Sequence, residues 1–224
     1  MTAINTVGIN ILTVLEYRKD RFVAQRLLRA ERKERTKAEL VEAARAVFLR
    51  RGFHAASLDE IAEEAGYTKG AVYSNFAGKD DLFLAVLDEY YSRRAETYRD
   101  FIFDQDDIED SYRAVARYWR DANEREPEMA RLIAEFLVHA SRHEPLRSAA
   151  RRVREQGMEA IAALVDALAA RHGVEFALPT REVVRGSGAL NRGLAIEQLI
   201  DPDLPGEVFE EMHVAYMKGL TRRP

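Results

Sequence analysis

This 224-residue chain has no cysteine, which excludes a disulfide framework and a thiolate metal site and gives no sign of secretion. Its six prolines and twelve glycines fall mostly between apolar-periodic stretches, so helix is the expected dominant state. Long hydrophobic runs are missing as well. The apolar patch from Ile4 to Leu15 is broken by asparagines, threonines and a glycine, and no basic residue precedes Arg18. It is too short and polar for a membrane span and lacks the charged start of a signal peptide. No membrane association is expected, and the composition suits a soluble, cytoplasmic, all-α protein. Also missing are a nucleophile–base pair and a phosphate-cradling glycine loop, so no cofactor is expected and catalysis is disfavoured. Residues 1–30 remain open as a disordered tail, an extra helix packed on the body, or sequence upstream of the true start.

The chain also lacks the overall basic excess of a nucleic-acid binder, with a formal net charge of −4. The distribution is uneven. Residues 1–56 hold 12 Lys/Arg against 6 Asp/Glu, residues 57–80 hold 2 against 5, and residues 81–224 hold 20 against 27. Phosphate attraction is therefore local and joined to an acidic body. Arg26, Arg29, Arg32, Lys33, Arg35 and Lys37 form the densest basic run. Read one way it is an arm against phosphates or a minor groove; read another, with its interleaved glutamates, it is a solvated helix face.

Residues 57–76 carry the most information. Ser57 with Glu60 is a capping box that starts a helix, and Leu58, Ile61, Ala62 and Ala65 form its apolar stripe. Gly66 stands where the chain must leave that helix through a left-handed residue. Thr68 can cap a second helix in which Val72 and Phe76, four apart, face the core. A small residue at the crossing, a permissive turn and an apolar anchor make a helix-turn-helix. Lys69, Gly70, Ala71, Tyr73, Ser74 and Asn75 are left on the outer face, where small, polar and aromatic groups suit a DNA groove.

From Thr36 to Leu84 the chain resembles the TetR family of bacterial transcriptional regulators, with Ala44, Phe48, Gly52-Phe53, Ile61-Ala62, Ala65-Gly66, Lys69-Gly70, Tyr73, Phe76, Lys79 and Leu82 at the family's spacing. The match covers about a quarter of the chain. Tyr67 replaces a small aliphatic residue and Gly78 a common serine cap; Tyr67 could add a DNA contact. The resemblance implies an N-terminal three-helix DNA-binding domain over residues 31–78 and a larger helical effector-binding and dimerisation domain over residues 79–224, following an extension over 1–30. It implies a repressor that binds a palindromic operator in double-stranded DNA as a homodimer and is released by a small-molecule effector of unknown identity. For DNA, Lys69 reaches a base edge or phosphate, Gly70 and Ala71 permit close approach, and Tyr73 gives its hydroxyl to a phosphate or packs as a hinge aromatic. Ser57, Thr68 and Lys79, at helix amino ends, favour phosphate oxygens, and Ser74, Asn75 and Tyr67 complete the set.

Apolar periodicity places helices near 31–51, 58–65, 69–75, 79–103, 107–124, 127–142, 145–171, 180–199 and 206–221, with 173–179 and 201–205 as connections. Val184, Gly188, Leu190 and Leu194, with Phe209, Met212 and Tyr216, are candidates for the dimer interface, or for an ordinary core. Tyr98, Tyr118, Trp119, Phe136, His139 and Arg192 are the candidates for an effector pocket; Phe101, Tyr112, Met158, Phe176 and Glu135 stand behind them.

Two rival constellations belong to other classes. Asp106, Asp107 and Asp110 form a DDxxD pattern reminiscent of magnesium-dependent helical terpenoid enzymes, although acids at a helix start also complement the dipole. Glu135, His139 and His143 recur every four residues and share a face that could hold a metal. A metal- or protein-responsive DNA-binding regulator is thus the second reading and an all-helical magnesium-dependent enzyme a remote third; no metal ligand is assigned.

Overall fold

The computed structural model describes residues 11–223. Nine helices and one two-stranded ladder account for nearly all of them. Helix α1 (Ile11–Ala55) runs on through the segment expected to begin a helix near residue 31, and residues 1–10 lie outside the described part. Gly52 interrupts α1 with φ 76° and ψ 166°, a backbone conformation that costs a side-chain-bearing residue strain. Two short helices follow, α2 (Leu58–Glu64) and α3 (Lys69–Asn75), where the sequence expectation had them.

Beyond the turn come α4 (Lys79–Phe101), α5 (Ile108–Arg125), α6 (Pro127–Ser141) and α7 (Glu144–His172). The remainder comprises β1 (Glu175–Phe176), α8 (Thr180–Ile200), α9 (Glu207–Leu220) and β2 (Thr221–Arg222). The ladder is a correction to the expected plain connection at 173–179: Glu175 pairs antiparallel with Arg222 and Phe176 with Thr221. Packing alone explains it, since α5 lies along α9 and brings the chain end beside β1, where unpaired amides find partners.

Three apolar clusters hold the helices together. The largest joins Leu40, Val47, Phe48, Ile61, Val72 and Phe76 to Leu82, Phe83 and Leu87 of α4, and continues into Leu132, Ile133 and Phe136 of α6. The core under the helix-turn-helix therefore does not stop at residue 79. A second cluster surrounds Tyr98, Trp119 and Ile161, and a third Tyr112, Leu168, Val183 and Met217. Among the described residues no helix is long and apolar enough to cross a membrane.

Candidate nucleic-acid interface and effector cavity

The α2–α3 unit is built from caps. Ser57 accepts from the Glu60 amide at 3.2 Å while the Glu60 carboxylate accepts from the Ser57 amide at 3.0 Å, closing the capping box. The Ser57 hydroxyl and amide hold the Glu60 carboxyl below its ordinary value. Gly66 turns the chain at φ 70°, and Thr68 accepts from the Ala71 amide at 3.3 Å to start α3. Val72 is fully buried and pins the inner face, leaving Lys69, Gly70, Tyr73 and Ser74 exposed. Tyr73 is 54% exposed, and Lys69 pairs with Asp59 of α2 at 2.8 Å.

Three of the remaining sequence candidates are occupied internally. Tyr67 is half-buried and hydrogen-bonded to Glu39 of α1, so it ties the turn to the first helix instead of projecting from it. Asn75 donates back to the Ala71 carbonyl at 2.8 Å. Lys79 donates to the carbonyls of His54 and Ala56 at 3.0 and 3.1 Å and lies over the Phe53 ring, which satisfies the end of α1.

The two expected pocket residues on α6 belong elsewhere. Phe136 is fully buried, stacked on Phe83 at 4.2 Å and edge-on to Phe53 at 5.3 Å. His139 lies beside Phe53 with Nε2 3.3 Å from Asp80. Both sit at the junction of α6 with α1 and α4. Glu135 accepts from the Phe53 amide at 3.0 Å there, and the His143 ring lies by the His139 carbonyl. Glu135 thus turns to the Phe53 amide and His139 to Asp80, while the His143 ring lies 5.0 Å from the His139 ring. The aspartates of the DDxxD pattern also have local roles: Asp107 caps α5 by accepting from the Glu109 amide at 2.7 Å, and Asp110 lies 3.6 Å from Arg113. Among the described residues no group of three or more such side chains is arranged to hold a metal ion.

Between α4, α5, α7, α8 and α9 lies an apolar cavity of about 80 Å³. Tyr98, Trp119, Tyr112, Met158 and Arg192, all expected from the sequence, line it. Phe101 and Phe176 instead pack against the second and third clusters. A neighbouring cavity of about 260 Å³ is more polar; Tyr118, Arg45, Asn123 and Glu126 line it, and Arg94 and Arg192 face both spaces. The sequence reading missed Arg94, Arg154 and His213. Arginine in a helix interior reads as a solvated face, yet Arg94 is 5% exposed, its guanidinium 3.3 Å from the centre of the Trp119 ring. Burial pushes His213 down to about 4.

On the outer side of α8 and α9, Ile196, Ile200 and Met212 are exposed, as are the small residues Ala189, Gly193 and Ala215. Two expected interface residues are enclosed instead: Val184 and Phe209 are 9% and 2% exposed and fill the intrachain core. Gly188 faces the apolar cavity, and Tyr216 donates to the Val183 carbonyl at 3.1 Å across Gly186. Leu190 and Leu194 of α8 are half-buried and share a small space with Phe209.

Residues 40–86 match the family of bacterial regulatory proteins designated tetR. This part of the chain is a tetR-type DNA-binding domain. It is 36% identical over 110 residues to the HTH-type transcriptional activator FasR of Mycolicibacterium smegmatis, covering 49% of this chain and 48% of that protein. To the HTH-type transcriptional regulator SrpR of Pseudomonas putida it is 42% identical over 89 residues, 40% of each chain. The chain thus spans half or less of the length of these relatives. Among solved structures, a putative TetR-family regulator from Rhodococcus sp. superposes with TM-score 0.66 at 20% identity, over 83% of this chain and 97% of that one. The transcriptional regulator FadR of Bacillus subtilis, solved in complex with stearoyl-CoA, superposes with TM-score 0.63 at 15% identity, over 80% and 98%. At these identities the superpositions establish the tetR fold.

Proposed function

We propose that this tetR-family chain is a ligand-responsive transcriptional repressor that binds a palindromic operator as a homodimer and is released by a small-molecule effector. The observation that carries the reading is the outer face of α3. A seven-residue helix anchored by a fully buried Val72 exposes a lysine, a glycine, a large aromatic and a serine to solvent. Residues 31–78 act as the DNA-binding unit, with Lys69, Gly70, Ala71, Tyr73 and Ser74 toward the groove and Ser57 and Thr68 toward the backbone. Residues 79–224 bind effector and dimerise.

One helix this short reads few base pairs, which favours a two-fold pair on two half-sites. The exposed stripe of Ala189, Gly193, Ile196 and Ile200, with Met212 and Ala215 beside it, supplies the face for the partner copy. The effector fills the apolar cavity. Its occupancy reaches α3 through α4, which lines that cavity with Tyr91, Arg94 and Tyr98 and carries Leu82 and Phe83 in the core under α3. An effector lowers operator affinity only by the difference in its own affinity for the two spacings of the paired recognition helices.

Fluorescence anisotropy with the DNA flanking its own gene, at two salt concentrations, tests this. Saturable, salt-dependent binding to a palindrome, lost on combining Lys69→Ala with Tyr73→Phe, is expected. Equal binding to unrelated duplexes, or none at moderate salt, would refute it.

A further inference from the structure

We propose that the two cavities form one bipartite site for an anionic amphiphile, in which Arg94 and Arg192 hold an acidic headgroup at the boundary and the apolar chain occupies the smaller space. This rests on the effector reading above and names the effector's chemistry.

Four observations converge on it. The first is charge: Arg94, Arg154, Arg185 and Arg192 line the apolar cavity, and among the described residues no carboxylate does. Arg185 has a partner in Glu182 at 3.0 Å, whereas Arg94, Arg154 and Arg192 form no ion pair with any described residue. The second is burial. Arg94 is 5% exposed and its Nε has no hydrogen-bond partner, a costly state for a cation unless an anion completes it. Burial and the like charges of Arg154 and Arg94 push the Arg192 guanidinium below its ordinary value.

The third is the polar inventory around the chain space. The Tyr98 hydroxyl and Trp119 Nε1 are buried there without partners among the described residues, so donors are in surplus. The fourth is shape. A volume of about 80 Å³ takes roughly five to eight water-sized groups, the length of a medium alkyl chain. The adjoining 260 Å³ accommodates a hydrated or bulky head; Arg45, Arg93, Arg125, Asn123 and Asn191 help to line it, and its two carboxylates, Glu126 and Glu89, are paired with Arg45 and Arg93. Gly188 belongs to the same design, since a Cβ there would stand 3.3 Å from the Arg192 guanidinium.

The Trp119 and Tyr90 rings, 3.3 and 4.3 Å from the Arg94 guanidinium, offset part of its charge, but a neutral apolar ligand would leave the arginines without an anion, and a cation would add to their repulsion. Carboxylate and phosphate monoester are the two heads that a planar guanidinium pair suits. Arg45 of α1 reaches the second cavity while paired with Glu126, so a headgroup there lies one ion pair from the helix bearing the DNA-binding unit.

Trp119 is the chain's one tryptophan and lines the site, so its fluorescence reports occupancy without any DNA. We would titrate the full-length protein with octanoate, octyl phosphate, 1-octanol and octylamine. At least one of the two anions should bind saturably at least tenfold more tightly than octanol, octylamine should be weaker still, and the tighter anion identifies the head. Arg192→Gln should lose at least tenfold for that anion while keeping its octanol affinity, which also shows that the cavity remains folded. Equal affinity for octanol and both anions, preference for the amine, or no binding of either anion would overturn the proposal. Anion binding without operator binding would sink the regulator reading and leave this site standing; operator binding without anion binding would do the reverse.

Discussion

Replacing Gly52 by alanine tests the junction between the DNA-binding unit and the body at one atom's cost. Its φ of 76° and ψ of 166° lie where residues with a Cβ are strained by about 1–3 kcal/mol. The added carbon would also stand 3.1 Å from Glu135 Oε2, the atom that accepts the Phe53 amide at 3.0 Å. Pushing that carboxylate away leaves a part-buried amide unpaired, a further loss on the order of 1–3 kcal/mol. The total, about 4 kcal/mol, is a large share of the roughly 5–15 kcal/mol that a folded domain has. Urea denaturation followed by far-ultraviolet circular dichroism measures it. Glu135→Gln keeps an acceptor and should lose about 1 kcal/mol. Gly70→Ala in α3, whose new Cβ meets only Thr68 Oγ1 at 3.7 Å, should be neutral or gain about 0.5 kcal/mol. A loss below about 1 kcal/mol for Gly52→Ala would refute the argument, because it would mean that the backbone relaxes freely and Glu135 is no anchor.

His213, held near 4 against an ordinary 6.5, stays neutral in the fold while the unfolded imidazole takes a proton. Its contribution is present above pH 6.5 and declines as the pH falls toward 4, by up to about 3 kcal/mol; His213→Gln should flatten that slope in denaturation at stepped pH. Phe136→Ala should cost about 3–5 kcal/mol in the same assay, since the fully buried ring packs against both Phe83 and Phe53. Gly186→Ala drives a methyl into the Tyr216 hydroxyl and should cost about 1–3 kcal/mol. Tyr216→Phe should recover part of it, and strict additivity of the two changes would contradict the contact. Ser57→Ala opens the capping box and should lower stability by about 1 kcal/mol, read as a shift in melting temperature.

Local signals were the legible ones. The Ser57–Glu60 box, the Gly66 turn and the Thr68 cap join residues no more than three apart or act on a single backbone angle, so each could be read from the string and each stands in the fold as expected. Composition likewise sufficed for a predominantly helical chain, and the spacing of residues 36–84 for the tetR match over residues 40–86. Long-range partnership was not legible. Lys79 and Tyr67 looked like outward groups until α1 supplied them with carbonyl and carboxylate partners 25 and 28 residues away. Periodicity puts a residue on a face of its helix but does not say which helix covers that face, so Phe136 and His139 were placed in a pocket when α1 and α4 enclose them.

The same limit hid the chemistry of the cavity. Arg94 and Arg192 are 98 positions apart in chain order; Arg192 was a pocket candidate from the sequence, but Arg94 reads as an ordinary solvated arginine. Helix packing turns both toward the apolar cavity, whose lining holds no carboxylate among the described residues. Sequence determined the helices from α2 onward to within a few residues, where the helix-turn-helix begins and turns, and how charge divides between the two ends, because hydrogen bonds within a helix and charge counts need no distant partner. Tertiary structure decided which side chains of α3 remain exposed and which buried cations lack an anion, because burial and pairing depend on neighbours that only the packed helices bring together.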